Sequence, residues 1–121
     1  MDRAVFEQLV AEAIDSLPDE ILGWLDNVAI VVGERPTPEQ LAQANAGPDD
    51  LLFGLYVGLP KTRRGFTYGE TAPDKIVIFQ QPIERVCRTP AQVRACVRRT
   101  VLHEVGHHFG LNEHDLRAAG V

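Results

Sequence analysis

Long apolar runs are absent from this chain. No stretch approaches the roughly 18 apolar residues that a membrane-spanning helix needs, so no membrane association is expected. The first residues lack a basic leader followed by an apolar core, which predicts a cytoplasmic protein. Cysteine is scarce, because Cys87 and Cys96 form no CxxC pair and are too few for a disulfide framework. We therefore expect both thiols to be free.

An excess of positive charge is also lacking. The 121 residues include 12 Lys+Arg and 17 Asp+Glu, a net charge of −5, so no nucleic-acid partner is expected. Five arginines nevertheless lie close together in the sequence: Arg85, Arg88, Arg94, Arg98 and Arg99. We interpret them as a solvated helix face with ion pairs, with an anion-binding site as the alternative. The length predicts a single domain over residues 1–121.

Helical and strand patterns alternate along the chain. Apolar spacing predicts a helix over residues 5–17, ended by Pro18, and a shorter helix up to residue 25. Apolar runs predict strands at residues 28–32, 51–59 and 75–79, the first of them buried and the last ended at Pro82. A capping box at Thr37 predicts a helical turn.

The last helix has the clearest start in the chain. Thr89 is suited to the N-cap, Pro90 to the first helical position, and Gly110 to the end of the helix. Steps of four residues predict one buried ridge, made of Val93, Val97, Val101, Val105 and Phe109. A different stripe of the same helix carries Cys96, Thr100, His103 and His107. One side of this helix can therefore pack in the core while the other holds a metal ion.

Residues 103–107 match the pattern HExxH on this helix. A helix turns by about 100° per residue, so His103 and His107 lie about 40° apart, one turn from each other. Two imidazoles in that arrangement can bind one tetrahedral Zn²⁺ ion. Glu104 lies next to them and is suited to act as the general base for a zinc-bound water.

A zinc hydrolase needs a third protein ligand and an open position for water. In the extended pattern HExxHxxGxxH, a glycine bends the chain back, and the residue six positions after the second histidine completes the site. Here that glycine is Gly110 and the completing residue is Glu113, with His114 and Asp115 as alternatives. Imidazole and carboxylate ligands also accept other divalent ions.

Several other polar residues lie outside this ligand set. His108 points about 100° away from His107, so we interpret it as supporting the site rather than binding the metal. Cys96 lies two turns before His103, about 10 Å along the axis, which is too far to share an ion. Four residues are candidates for stabilising an oxyanion, and the pattern does not choose among them: Tyr56, Arg63, Arg64 and Tyr68.

Three segments resemble the minimal zincin family, small bacterial proteins considered zinc metallopeptidases. They are residues 103–111 (HEVGHHFGL), 55–60 (LYVGLP) and 75–85 (KIVIFQQPIER), so the resemblance spans most of the chain. It implies a compact α+β fold, with a small sheet of about three to four strands packed against helices that include the C-terminal HExxH helix. In zincins an edge strand borders the cleft, a part that residues 51–59 are suited to play. The family's usual third ligand is an aspartate, and Glu113 replaces it here.

These observations predict a zinc-dependent metallopeptidase that cuts peptides or proteins. His103, His107 and Glu113 would bind one Zn²⁺ ion, and Glu104 would be the catalytic base. The alternative is a metal-binding or interaction module of zincin fold with little or no activity. A metal-dependent ribonuclease matches poorly, because such enzymes have no glutamate after the first histidine of their motif. Met1 is the single methionine, so the Met-turn of metzincins is excluded.

Overall fold

The computed structural model describes residues 1–58, 74–110, 114 and 117. These residues form an α+β fold, as predicted, with a small sheet packed against helices. In chain order the elements are α1 (Arg3–Asp15), α2 (Asp19–Trp24), β1 (Val28–Gly33), α3 (Pro38–Gln43), β2 (Gly54–Val57), β3 (Asp74–Phe79), α4 (Gln80–Val86) and α5 (Pro90–Phe109). None of the helices in the described ranges is long and apolar enough to cross a membrane.

The sheet has the strand order β1-β3-β2. β3 is the central strand, and it pairs in parallel with β1 and antiparallel with β2. The prediction that β1 is buried is wrong, because β1 lies at one side of the three-strand arrangement and Val31 is 38% exposed. β3 is the buried strand, and its Ile76 and Ile78 side chains are fully enclosed. A central strand covered on both faces explains the nearly continuous apolar sequence of β3.

The main core lies between one face of the sheet and the helices. Phe6 of α1, Ile76 of β3 and Val97 of α5 are all fully buried in this cluster. A second, smaller cluster covers the opposite face of the sheet, where Leu55 and Phe79 pack together. Burial of these side chains removes apolar surface from water, which is the main contribution to the stability of the domain.

The structure confirms the predicted capping residues at the starts of two helices. In α3, Gln40 N–H donates to the Thr37 hydroxyl at 3.1 Å, and Thr37 N–H donates to the Gln40 side chain at 2.9 Å. In α5, Gln92 N–H donates to the Thr89 hydroxyl at 3.2 Å. These bonds satisfy N–H groups that the first turn of a helix leaves without partners.

Helix α4 was not predicted, because Pro82 was interpreted as the end of a strand. Pro82 instead occupies the first turn of α4, where a missing N–H costs no helical hydrogen bond. Gln80, at the start of α4, is buried but well bonded. Its amide accepts from Arg3 Nε at 2.7 Å and donates to Glu84 at 2.7 Å. The bond from Arg3 connects α4 to the start of α1, whereas the bond to Glu84 lies within α4.

Helix α5 has one buried side, as its sequence predicts. Four of the five ridge residues are buried: Val93, Val97, Val101 and Val105. Phe109 was expected to continue the ridge, and this is wrong, because its side chain is 43% exposed. It lies at the last turn of α5, and its ring centroid is 5.7 Å from that of Trp24. Gly110 ends α5 in the left-handed region, with φ of 69°.

Candidate metal centre and cleft

His103 and His107 lie on the exposed side of α5 and face each other. Their ring centroids are 4.5 Å apart and their planes are inclined by 59°. Val105 and Gly106, between them in sequence, are buried against the core. The helical period therefore places the two imidazoles together in solvent and the intervening residues inside the protein.

The pair of imidazoles fits a divalent metal ion in its chemistry and its access. Imidazole nitrogen is a ligand type that zinc takes, and both rings are open to solvent. Among the residues that the structure describes, no three histidine, cysteine or acidic side chains form a metal-binding group. Glu113 and Asp115 lie outside the described residues, while His114 is described and exposed. The third ligand therefore stays a prediction.

Glu104 is held by the edge of the sheet. The backbone N–H of Tyr56 in β2 donates to Glu104 Oε1 at 2.8 Å. This contact joins residues far apart in sequence and fixes one carboxylate oxygen. The second oxygen is not engaged by this bond, so the carboxylate is oriented while it can still accept a proton.

Strand β2 approaches α5 closely at Gly54. A Cβ atom added at Gly54 would lie 2.6 Å from Thr100 Cγ2 and 3.1 Å from the Val77 carbonyl oxygen. Only glycine allows this approach, because any side chain would push the strand from the helix. The bond between Tyr56 and Glu104, two residues further along β2, depends on the same close spacing.

A cleft of about 630 Å³ runs between β2 and α5. It is lined by the strand residues Gly54 and Tyr56, and by His103, Glu104 and His107 of the helix. This volume is typical of a ligand-binding pocket. The two imidazoles and the carboxylate therefore lie together in a groove large enough for a section of a bound chain.

Tyr56 and His108 form a stacked pair beside the histidines. Their ring centroids are 3.7 Å apart, with planes inclined by 12°. The Tyr56 hydroxyl donates to Asp74 Oδ2 at 2.8 Å, and His108 Nε2 lies 3.9 Å from the same oxygen. His108 thus supports the cleft wall, in line with its predicted place. The sequence prediction missed Asp74, whose only signal was an acid directly before an apolar strand.

Cys96 lies at the other end of the cleft from His108. Its side chain is buried, and no disulfide links it to Cys87, so the prediction of free thiols is confirmed. Burial raises the pKa of the Cys96 thiol, and the neighbouring Cys87 thiol raises it further. Cys96 is therefore held as a neutral thiol. Of the oxyanion candidates, Tyr56 is bonded to Asp74, and the other three lie outside the described residues.

The fold and the cleft define a class of protein: an α+β domain with an HExxH helix beside β2, a side strand of the sheet that the described residues form. Residues 25–121 match the family described as zincin-like metallopeptidase. Because this match covers well over half of the chain, the chain belongs to that family. A search of the curated proteins found no match to it.

Proposed function

We propose that the protein is a zinc-dependent peptidase whose active site is the cleft between β2 and α5. The observation that carries this proposal is the joint position of three side chains. His103 and His107 face each other at 4.5 Å between ring centroids, and Glu104 lies between them in sequence, oriented by the backbone of β2. Family membership supports the same conclusion.

His103, His107 and Glu113 would hold one zinc ion. When bound, zinc lowers the pKa of a water molecule and polarises a carbonyl oxygen. Glu104 takes a proton from the attacking water and passes it to the nitrogen of the amine that leaves. The bond from Tyr56 N–H keeps the Glu104 carboxylate in one orientation during both proton transfers, which reduces the entropy lost on reaching the transition state.

The substrate would bind as an extended peptide along β2. Phe79 N–H donates to the Phe53 carbonyl at 2.9 Å, and the register pairs Leu55 with Val77. In an antiparallel ladder the alternate residues, Gly54 and Tyr56, then direct their backbone groups away from β3. Because the Tyr56 N–H donates to Glu104 Oε1, an extended chain added beside β2 would form its main-chain hydrogen bonds with Gly54.

Substitution of Glu104 by Gln tests the assignment of the base. Glu104→Gln should bind zinc as the parent does and lose at least about a hundredfold in the rate of peptide cleavage, since general-base catalysis contributes on that order. Glu7→Gln, an exposed change on α1, is the matched control and should keep the parent rate. Cleavage by Glu104→Gln at the parent rate would contradict this mechanism.

Metal affinity tests the ligands separately from activity. Calorimetric zinc titration should show that His103→Ala and His107→Ala each lose high-affinity binding. Of the tail variants, Glu113→Gln should lose more affinity than His114→Ala or Asp115→Asn. Zinc binding without cleavage of any peptide in a broad library would favour the alternative, a metal-binding module with little or no activity.

We also propose that residues 1–121 form one domain. The family match begins at residue 25, yet α1 precedes it and packs into the same core. Phe6 of α1 is fully buried, and Arg94 of α5 makes an ion pair with Glu12 of α1 at 3.2 Å. Removal of α1 would expose the buried side of α5, so the truncated chain should fail to unfold cooperatively.

A further inference from the structure

Arg99 differs from its two neighbouring arginines on α5. Arg94 makes an ion pair with Glu12, and Arg98 donates to the carbonyl and hydroxyl oxygens of Ser16 at 2.6 and 2.9 Å. Both therefore attach α5 to α1. Arg99 has no hydrogen bond or ion pair to any residue in the described ranges, and it lines the cleft. An arginine without a protein partner in a groove can bind a ligand anion.

The surroundings of Arg99 favour a carboxylate. Glu104 is the one acidic residue among the described residues that line the cleft, and it already accepts the Tyr56 N–H. The lining of the cleft also includes the amide side chains of Gln43 and Asn45, which carry no charge. A carboxylate bound at Arg99 would meet positive charge, and Glu104 is the only acidic side chain that the described residues contribute to the cleft lining.

The distance from the histidines sets which substrate residue would reach Arg99. Arg99 precedes His103 by one turn of α5, about 6 Å along the helix axis. An extended chain advances about 3.3 Å per residue, so the carboxylate would belong to a residue about two positions from the bond that is cut.

The direction of β2 relative to α5 determines the direction in which a peptide would bind. Gly54 lies beside Thr100, and Tyr56 lies beside Glu104, so β2 and α5 run in the same direction. Antiparallel pairing is the more stable arrangement for a peptide added to β2. A peptide bound in that way has its C-terminal part at Arg99.

We propose that Arg99 binds a substrate carboxylate on the C-terminal side of the cleaved bond. The proposal rests on the peptidase function and adds a substrate class to it. The carboxylate has two sources, either an acidic side chain or the free C-terminus of a short peptide, and the chemistry at Arg99 is the same for both.

Matched peptides test this proposal. A peptide cut by the zinc-loaded protein is remade with Glu or Gln at each of the three positions after the cleaved bond, and with a free or amidated C-terminus. One of these carboxylates should raise kcat/KM by about tenfold, since a charge-assisted hydrogen bond in a partly open groove contributes on that order. Dependence on Glu identifies a side chain, and dependence on the free terminus identifies the C-terminal carboxylate.

Arg99 variants connect the preference to this residue. Arg99→Gln should remove the preference, so that the acidic and amide peptides are cleaved with similar kcat/KM, while Arg99→Glu should favour Lys at the same position. Arg88→Gln removes one exposed positive charge outside the cleft and is the matched control, which should keep the preference. A preference that persists in Arg99→Gln, or that falls on the N-terminal side of the bond, would overturn the proposal.

Failure of this proposal and failure of the peptidase function give different results. Cleavage without any dependence on a carboxylate contradicts the role of Arg99 alone. Cleavage of no peptide contradicts the peptidase function. In that case peptide binding still tests the role of Arg99. Fluorescence anisotropy would compare the affinity of labelled acidic and amide peptides for Glu104→Gln and for the double variant of Glu104→Gln and Arg99→Gln.

Discussion

Replacement of Gly54 by alanine should separate β2 from α5. The added Cβ would lie 2.6 Å from Thr100 Cγ2, whereas ordinary van der Waals contact begins at about 3.4 Å. The strand and the helix would have to move apart by about 0.8 Å. The Val77 carbonyl oxygen lies 3.1 Å from the same Cβ position, so the added methyl group cannot be accommodated by moving towards β3.

The expected loss in the free energy of unfolding of Gly54→Ala combines two opposing effects. Inserting a methyl group into a packed contact typically costs about 1–3 kcal/mol. Replacing glycine reduces the entropy of the unfolded chain, which offsets about 0.4–1 kcal/mol. Gly54→Ala should therefore lower the free energy of unfolding by about 1–2 kcal/mol, or Tm by about 4–8 °C for a domain of this size.

Thermal and urea unfolding measure this loss, and two further variants show its cause. Gly23→Ala is the control, because a Cβ there meets no atom within 4 Å, and it should be neutral or slightly stabilising. Thr100→Ser removes the clashing Cγ2 and keeps the hydroxyl that donates to the Cys96 carbonyl at 2.8 Å. The double variant of Gly54→Ala and Thr100→Ser should recover at least half of the loss.

Hydrogen exchange tests the consequence for the cleft. Movement of β2 lengthens the bond from Tyr56 N–H to Glu104, so this amide should exchange faster in Gly54→Ala than in the parent. The reasoning is refuted if Gly54→Ala matches the parent in stability and shows less than about 0.5 kcal/mol of coupling to Thr100→Ser. Unchanged exchange at Tyr56 would show that Glu104 does not depend on this approach.

Two further predictions concern α5. Thr89→Ala removes the hydroxyl that accepts from Gln92 N–H at 3.2 Å, so the free energy of unfolding should fall by about 1 kcal/mol in urea titration, with Thr89→Ser close to the parent. Because the pKa of Cys96 is raised in the folded state, the free energy of unfolding should depend on pH in the alkaline range. This free energy should be constant below the unfolded-state pKa, near ~8.5, and should fall as pH rises through the higher folded-state pKa. Under reducing conditions this decline should be weaker in Cys96→Ala, and an equal decline in both proteins would show that Cys96 is not responsible.

Local patterns in the sequence were sufficient for most elements of the fold. The N-cap at Thr89 and the left-handed Gly110 at the end of α5 were both predictable, because capping depends on residues adjacent in sequence. Helix α4 was missed, since the strand before it passes directly into the helix and Pro82 was taken as a stop. The burial of β1 was misjudged because an apolar run does not reveal whether a strand is central or at the side of a sheet.

By itself, the sequence determined that His103, Glu104 and His107 lie on neighbouring faces of one helix, because a helical period of 3.6 residues places them there whatever surrounds them. Only the tertiary structure decided that the Tyr56 N–H donates to Glu104 and that the Tyr56 hydroxyl donates to Asp74. Only the tertiary structure decided that Arg99 lines the cleft while Arg98 does not. These contacts join residues far apart in the chain, and their geometry depends on how β2 and α1 pack against α5. A local pattern carries no information about such packing.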